Sequence, residues 1–359
     1  MPNSLHTLLD DTLAGHRLTE EEAVTLLSTR GRDVWAIAAA ADELRERKVG
    51  DTVTYVRNQN IHVTNICKNL CGFGRRADDP EAFYDDIDAI REKARTAATR
   101  NVTEICLLSG VHPDYTLDSY VDLISCVREE APGTDIHTAS PDEIAWAAKQ
   151  SGVSTKEAIE RLRDAGLGTV QGTAAEILVD DVRRVICPSK CDTTTWVRII
   201  KEAHRIGLRS TATIMYGSSE SEADRARHLS VLREIQDETR GFTELVPLSF
   251  LHENTALYRN GLAPAGATGR EDLLLFAVSR LFLDNFDHIQ ISWGKVGTKM
   301  AELGLLAGGD DLGGTMFCDD VSTDAGGEGA DYLDPAEMRR IAEDLGRTLR
   351  QRTTTYELV

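Results

Sequence analysis

Apolar and β-branched residues recur along this chain in short runs that alternate with longer amphipathic segments. The runs lie at 61–64, 103–108, 135–139, 168–171, 210–215, 244–250, 288–293 and, more weakly, 311–316. Each has the length of a buried strand and is bounded by Gly, Pro, Asn, Asp or Ser. Between and after them, positions 80–100, 117–130, 156–165, 193–206, 222–238, 271–285, 296–306 and 335–350 repeat apolar residues at helical spacing. Strict alternation of strand and helix predicts a parallel sheet in an α/β fold, and eight repeats favour closure into a (β/α)8 TIM-type barrel over an open sheet. The first fifty residues differ: Thr19 and Glu22 form a capping box ahead of 23–27, and 34–44 is Ala-rich with helical spacing. We therefore expect an N-terminal helical cap over 1–50 and a barrel over 51–359.

Composition narrows the setting. No window approaches eighteen apolar residues and no basic start precedes an apolar run, which predicts a cytoplasmic protein with no membrane partner. The seven cysteines are read as core thiols or metal ligands, since a reducing compartment keeps thiols free. A formal charge of −19, from 59 acidic against 40 basic residues, makes nucleic acid an unsuitable partner. Only nine of those basic residues are Lys. An acidic, Lys-poor surface is suited to concentrated salt, where screening removes self-repulsion, so we expect a halophilic protein.

In such a barrel the loops after the strand C-termini carry the chemistry. Cys67 and Cys71 follow the first strand in a C-x3-C loop, a spacing equally compatible with incidental thiols and with ligands. Ser109-Gly110 follows the second strand and reads as a strand-end turn. Ser140 and Glu143 form a capping box with Pro141 at the first helical position, so a structural role accounts for Ser140. Glu176, after the small residues 172–175, is either the N-terminal carboxylate of a helix or an acceptor for a ligand hydroxyl or ammonium. Cys187-Pro188-Ser189-Lys190-Cys191 repeats the C-x3-C spacing and is read as a structural helix start; Cys106 and Cys126 are read as core. Residues 308–315 are read as tight turns about the last strand. His137, His112, His252 and Tyr216 remain candidates for polar work at the barrel mouth.

Several blocks occur together in one order: Thr64-Asn65-Ile66-Cys67, Gly110-Val111-His112-Pro113-Asp114, Ser140-Pro141-Asp142-Glu143, Gly172-Thr173-Ala174-Ala175-Glu176, Thr211 to Gly217, Asp311 to Thr315, and Gln351 to Tyr356. With them the chain resembles radical S-adenosylmethionine (SAM) enzymes, and most fully the tyrosine-using subunits of deazaflavin (FO) synthase, from about residue 18 onward. The resemblance implies a transferase that joins the 4-hydroxybenzyl group of L-tyrosine to 5-amino-6-(D-ribitylamino)uracil, with a 4Fe-4S cluster and SAM as cofactors and the other FO synthase subunit as a partner. It implies Cys67 and Cys71 as iron ligands, and Gly110, Ser140 and Glu176 as the SAM contacts. Catalytic side chains are not assigned by it.

One position departs from the pattern. The family loop reads C-x3-C-x2-C, with three thiolates holding the cluster and one iron left open, whereas Gly74 stands where the third cysteine belongs. Loss of one Cys-Gly-Phe unit from a loop reading Cys-Gly-Phe-Cys-Gly-Phe-Gly-Arg-Arg would give the sequence observed. Two alternatives follow: a degenerate barrel that binds rather than catalyses, and a menaquinone-pathway futalosine-type radical SAM enzyme. The surface charge generates its own test. Dialysis from molar salt to low ionic strength should abolish the helical circular dichroism signal; a sharp melt independent of salt would overturn the halophilic expectation.

Overall fold

The computed structural model describes residues 5–69, 74–317 and 331–359. Ten strands are present among them: β1 Thr52–Val56, β2 Asn58–Thr64, β3 Glu104–Ser109, β4 Asp135–Thr138, β5 Thr169–Val170, β6 Arg209–Tyr216, β7 Phe242–Ser249, β8 His288–Ile289, β9 Asp311–Gly314 and β10 Thr348–Arg352. Strands β2 to β8 form one parallel sheet in sequence order, and β10, β1 and β9 form a second parallel sheet. Strand β9 closes the first sheet into a barrel. On one side Ile291 N donates to Asp311 O (2.8 Å), and on the other Asn60 N donates to Met316 O (2.8 Å). Thr315 Oγ1 also bonds both Asn58 N and Asn58 O. All eight strands expected from periodicity are therefore found, β5 and β8 as two-residue pieces.

The connecting helices begin where short polar side chains accept backbone N–H groups: Asp86, Ser140, Ser154, Asp192, Ser221 and Thr268 each cap the helix that follows. The helix Gly269–Phe282 is buried continuously from Asp272 to Phe282. Its apolar residues run all the way round because a third layer covers its outer face. That layer is made by the N-terminal helices Leu5–Leu13, Glu20–Leu27 and Asp33–Val49. Arg17, between the first two, pairs with Asp237 and Asp284, and Lys48 reaches Asp284 O.

Two expectations need correction. The helix predicted over 335–350 ends at Asp344, and Gly346 (φ +70°) turns the chain into β10, which pairs with β1 from Thr52↔Thr348 to Val56↔Arg352. Neither β1 nor β10 was expected: Thr-Leu-Arg-Gln-Arg of β10 lacks an apolar run, and Thr-Val-Thr-Tyr-Val of β1, although β-branched, directly precedes the run of β2. The turn at 187–191 does not start a helix either: Cys187 ends the helix Asp180–Ile186, and the next helix starts at Thr193 behind the Asp192 cap.

Strand β10 delivers Arg352 under the barrel, where it is 1% exposed. Its guanidinium donates to Asp311 (2.5 Å) and Glu244 (3.2 Å), and Tyr356 Oη donates to the same Glu244. Burial pushes Glu244 up to about 8, against the pull of the Arg352 charge and the Tyr356 bond and with the help of the Asp311 charge. Truncating one partner of a buried ion pair costs about 3–5 kcal/mol because the remaining charge is uncompensated. Arg352→Met should lower unfolding free energy by about that amount in urea titrations, and Arg352→Lys should recover only part, lacking the planar fork. A loss below about 1 kcal/mol would show that the cluster does not hold the barrel closed.

Candidate functional site

Two adjoining cavities of about 250 and 330 Å3 open along the barrel axis. They share Leu108, Gln171, Thr173, Glu176, Thr213 and Leu248, so they form a mouth and a deeper chamber with a common wall. Cavities of this size and polarity are ligand sites by default in such folds.

The mouth is built on the loop after β2. Thr64 Oγ1 donates to Phe83 O (2.7 Å), and the Asn65 side chain accepts from Phe83 N (2.8 Å) and donates to Glu81 O (2.9 Å). These two residues of the motif are thus staples that hold the loop's first limb. Cys67 N donates to Arg75 O and Arg75 N to Asn65 O, so the loop closes as a short ladder between 65–67 and 74–75. Cys67 lines the mouth, with Asn69 N donating to its Sγ (3.4 Å). Asp142 ties the neighbouring loops together: it accepts from the Asn69 side chain and from Cys191 N (2.8 Å).

Cys67, Gly110, Ser140 and Glu176 all come together around this mouth. The expected ligand Cys71 lies outside the described residues. For Gly110 the geometry supplies a reason of its own, since a Cβ there would sit 2.4 Å from Ile66 O, so glycine lets the loop after β3 press on the cysteine loop. Ser140 is occupied by its capping box: its Oγ donates to Glu143 Oε2 (2.6 Å) and accepts from Glu143 N (3.4 Å). Glu176 is not at a helix start, as the next helix begins at Asp180; it sits in left-handed backbone (φ +44°) and pairs with Lys190. Burial works against its charge, but Lys190 and then Arg183 hold the carboxyl below its ordinary value.

The sequence reading passed over three neighbours. Lys190, inside the C-x3-C repeat at 187–191, lines the mouth, as does Asp142. Glu143 does so too, and its Oε1 is buried with no partner among the described residues. Burial pushes Glu143 up to about 7, opposed by its Ser140 bonds and assisted by Asp142. A capping-box glutamate gave no sign of this, because only the fold shows that one oxygen is left over.

Other candidates resolve differently. Cys106 was expected in the core, yet it lines the chamber, where Gln171 Nε2 reaches its Sγ (3.3 Å). His137 also lines the chamber. Tyr216 is fully buried and donates to Asp272 (2.7 Å). His112 stacks beside Tyr115, and His252 meets Tyr258 edge-on; neither lines the mouth or the chamber. Cys126 is buried as expected. No helix among the described residues is long and apolar enough to cross a membrane.

A parallel barrel with a cysteine loop at the strand C-termini defines the class, and the comparisons agree. The radical SAM superfamily profile matches residues 61–232, and a profile described as the CofH/MqnC C-terminal region matches 239–359. Among solved structures, methylornithine synthase PylB superposes with a TM-score of 0.72 at 20% identity, covering 95% of this chain and 97% of that one. The hydrogenase maturase HydG gives 0.73 at 15% identity over 96% and 75%. Both show the fold. A Methanoculleus marisnigri protein named 5-amino-6-(D-ribitylamino)uracil–L-tyrosine 4-hydroxyphenyl transferase is 67% identical over 100% of this chain and 99% of its own length. A Methanospirillum hungatei protein of the same name is 56% identical over 99% and 98%. FO synthase of Mycobacterium tuberculosis (strain H37Rv) is 42% identical over 95% of this chain but only 40% of its own length. The chain is a radical SAM enzyme. Within that superfamily it belongs to the family of these aminouracil–tyrosine hydroxyphenyl transferases.

The residues present fit one of the superfamily's two cofactors. For SAM the mouth offers a polar cavity with an unanswered carboxyl oxygen at Glu143 and a paired carboxylate at Glu176. For a cluster held by three thiolates the loop does not fit. A Cβ at Gly74 would stand 2.4 Å from Cys67 Cβ, so the ladder leaves no room for any side chain there. Among the described residues no group of three or more His, Cys, Asp or Glu could hold a metal. The M. marisnigri alignment runs over 362 residues, three more than the 359 of this chain, so that relative carries residues with no counterpart here.

The raised Glu143 carboxyl has a measurable consequence. Its folded value of about 7 lies above the ordinary 4.5, so the folded state holds a proton that the unfolded state has released. Stability is therefore lost as pH rises from 4.5 to 7, and levels off above. Glu143→Gln should match the wild type near pH 4.5 and exceed it at pH 8 by up to about 3 kcal/mol in urea titrations. Parallel pH profiles for the two proteins would refute the assignment.

Proposed function

We propose that this barrel is built to join the 4-hydroxybenzyl group of L-tyrosine to 5-amino-6-(D-ribitylamino)uracil on the route to the deazaflavin coenzyme. The observation that carries the reading is end-to-end similarity: 67% identity, spanning nearly all of both chains, to a relative named for that transfer. In this reading SAM occupies the mouth, with Glu176 and Glu143 as acceptors for its ammonium or ribose hydroxyls and Gly110 bringing two loops close enough to wall it in. When bound, SAM supplies the radical chemistry from which the superfamily takes its name. The chamber holds the two substrates against the same wall. Its apolar sides, including Met215, Val246, Leu248 and Phe250, exclude water from whatever reacts there. The chain matches less than half of the mycobacterial FO synthase, which favours a second catalytic unit, in a separate protein, that completes the flavin-like ring system.

Gly74 supports a second reading, in which the chain binds these ligands without turning them over. One experiment separates the two. Iron and sulfide are measured per chain after anaerobic reconstitution in high salt, for the wild type and for a variant with Cys-Gly-Phe inserted between Phe73 and Gly74. We expect the wild type to hold well below four irons and the insertion variant about four, with 5′-deoxyadenosine formed only by the variant. Coupling of tyrosine to the aminouracil by the repaired chain would establish the transferase design. A repaired chain that binds four irons and cleaves SAM but makes no coupled product would sink it. Four irons and SAM cleavage in the wild type would show instead that a substitute ligand completes the site.

A further inference from the structure

The chamber contains an acceptor, on His137, for which the described residues supply no donor. Thr169 Oγ1 donates its single proton to Asp135 Oδ1 (3.0 Å). Its contact with His137 Nδ1 (2.9 Å) therefore needs the hydrogen to be on the ring nitrogen. This relay fixes the tautomer, with Nδ1 protonated and Nε2 left as a bare lone pair. Burial pushes the imidazole down to about 4, against the pull of Asp135 and with the push of Arg352, so the ring is neutral. Among the described residues Nε2 has no hydrogen-bond partner, and His137 lines the chamber.

The nearby donors are already committed. The Gln171 amide is spent on Cys106 Sγ, Leu107 O and His137 O. Arg352 is held by Asp311 and Glu244. A buried acceptor with no donor among the described residues, on the wall of a largely apolar cavity, is a position for a ligand donor, since leaving it dry costs more than a hydrogen bond returns.

We propose that His137 Nε2 accepts a hydrogen bond from the ring-bound donor of a chamber substrate, either a uracil N–H or the tyrosine phenol, and so fixes that ring's orientation. The assignment rests on the transferase reading for its substrates, and is tested by binding, which requires no cluster. Dissociation constants are measured by calorimetry with SAM present for two matched pairs. One pair is L-tyrosine against L-phenylalanine; the other is 5-amino-6-(D-ribitylamino)uracil against its ring N-methylated analogue. The wild type should favour the donor-bearing member of one pair by about tenfold, the effect of one net hydrogen bond.

His137→Asn keeps an amide donor for Thr169 but places nothing at Nε2, and should erase that preference. His137→Gln puts an amide near the lost nitrogen and should restore part of it. Loss of the tyrosine preference assigns the phenol, and loss of the uracil preference assigns the ring N–H. Thr169→Val, which leaves the imidazole but removes the hydroxyl that fixes its proton, is read the same way if the Asn chain does not fold. A folded His137→Asn protein that keeps both preferences overturns the proposal. A wild type that binds neither tyrosine nor the uracil overturns the substrate reading and this assignment together.

Discussion

Everything above the floor of this barrel depends on how the floor is closed. Strand β9 is the eighth member of the ring, and it begins with Asp311, a carboxylate with no exposed surface. That charge is tolerable only because β10 brings Arg352 beneath it, with Glu244 and Tyr356 completing the cluster. Beside it, Arg280 and His288 hold Asp310 in the same manner, with the Tyr356 ring stacked on His288. Desolvating these charges is expensive, so the arrangement is stable only with every partner in place. It therefore specifies one register for the last two strands. Since β1 lies between β9 and β10 and runs straight into β2, the same cluster sets the height of the strand that carries the cysteine loop.

Polarity at the mouth and in the chamber serves a second purpose. At the floor nearly every charge is matched, as expected of structure. At the mouth and in the chamber some groups are not matched: among the described residues Glu143 Oε1 has no partner and none is found for His137 Nε2. Unanswered buried groups lower stability and are retained where a ligand answers them. Whether a polar group is answered distinguishes scaffold from site more clearly than position does, since Arg352 and Glu244 line the same chamber as His137 yet answer each other.

Legibility in the sequence followed the source of each signal. Strands β2 to β9 were readable because their apolar runs are intrinsic to the segment and are buried by helices on the outside and by each other inside. Caps at Thr19 and Ser140 were readable because their partners lie three residues away. Strand β10 was not, because 348–352 carries polar residues whose partners Asp311 and Glu244 are distant in sequence, and β1, though Thr-Val-Thr-Tyr-Val is β-branched, was passed over beside β2. The same distinction holds for the site. Cys67, Gly110, Ser140 and Glu176 stood out through local motifs and a family resemblance. Lys190 and the spare oxygen of Glu143 take their meaning only from neighbours across the barrel mouth.

A contraction of the cysteine loop by one Cys-Gly-Phe unit, as the sequence suggests, would leave this architecture undisturbed. The loop's two limbs are fastened to each other by Cys67 N to Arg75 O and Arg75 N to Asn65 O, and to the barrel by Lys68 N to Val111 O. A change of three residues between such fixed ends alters closure entropy by only a few tenths of a kcal/mol, so selection on folding scarcely sees it. Chemistry would see it at once if position 74 carries the third ligand that the family pattern implies, and a Cβ there would meet Cys67 Cβ at 2.4 Å. The retention of Thr64, Asn65 and Arg75 does not therefore measure retained activity. Those residues hold the loop in place through hydrogen bonds of their own and would persist through the fold alone.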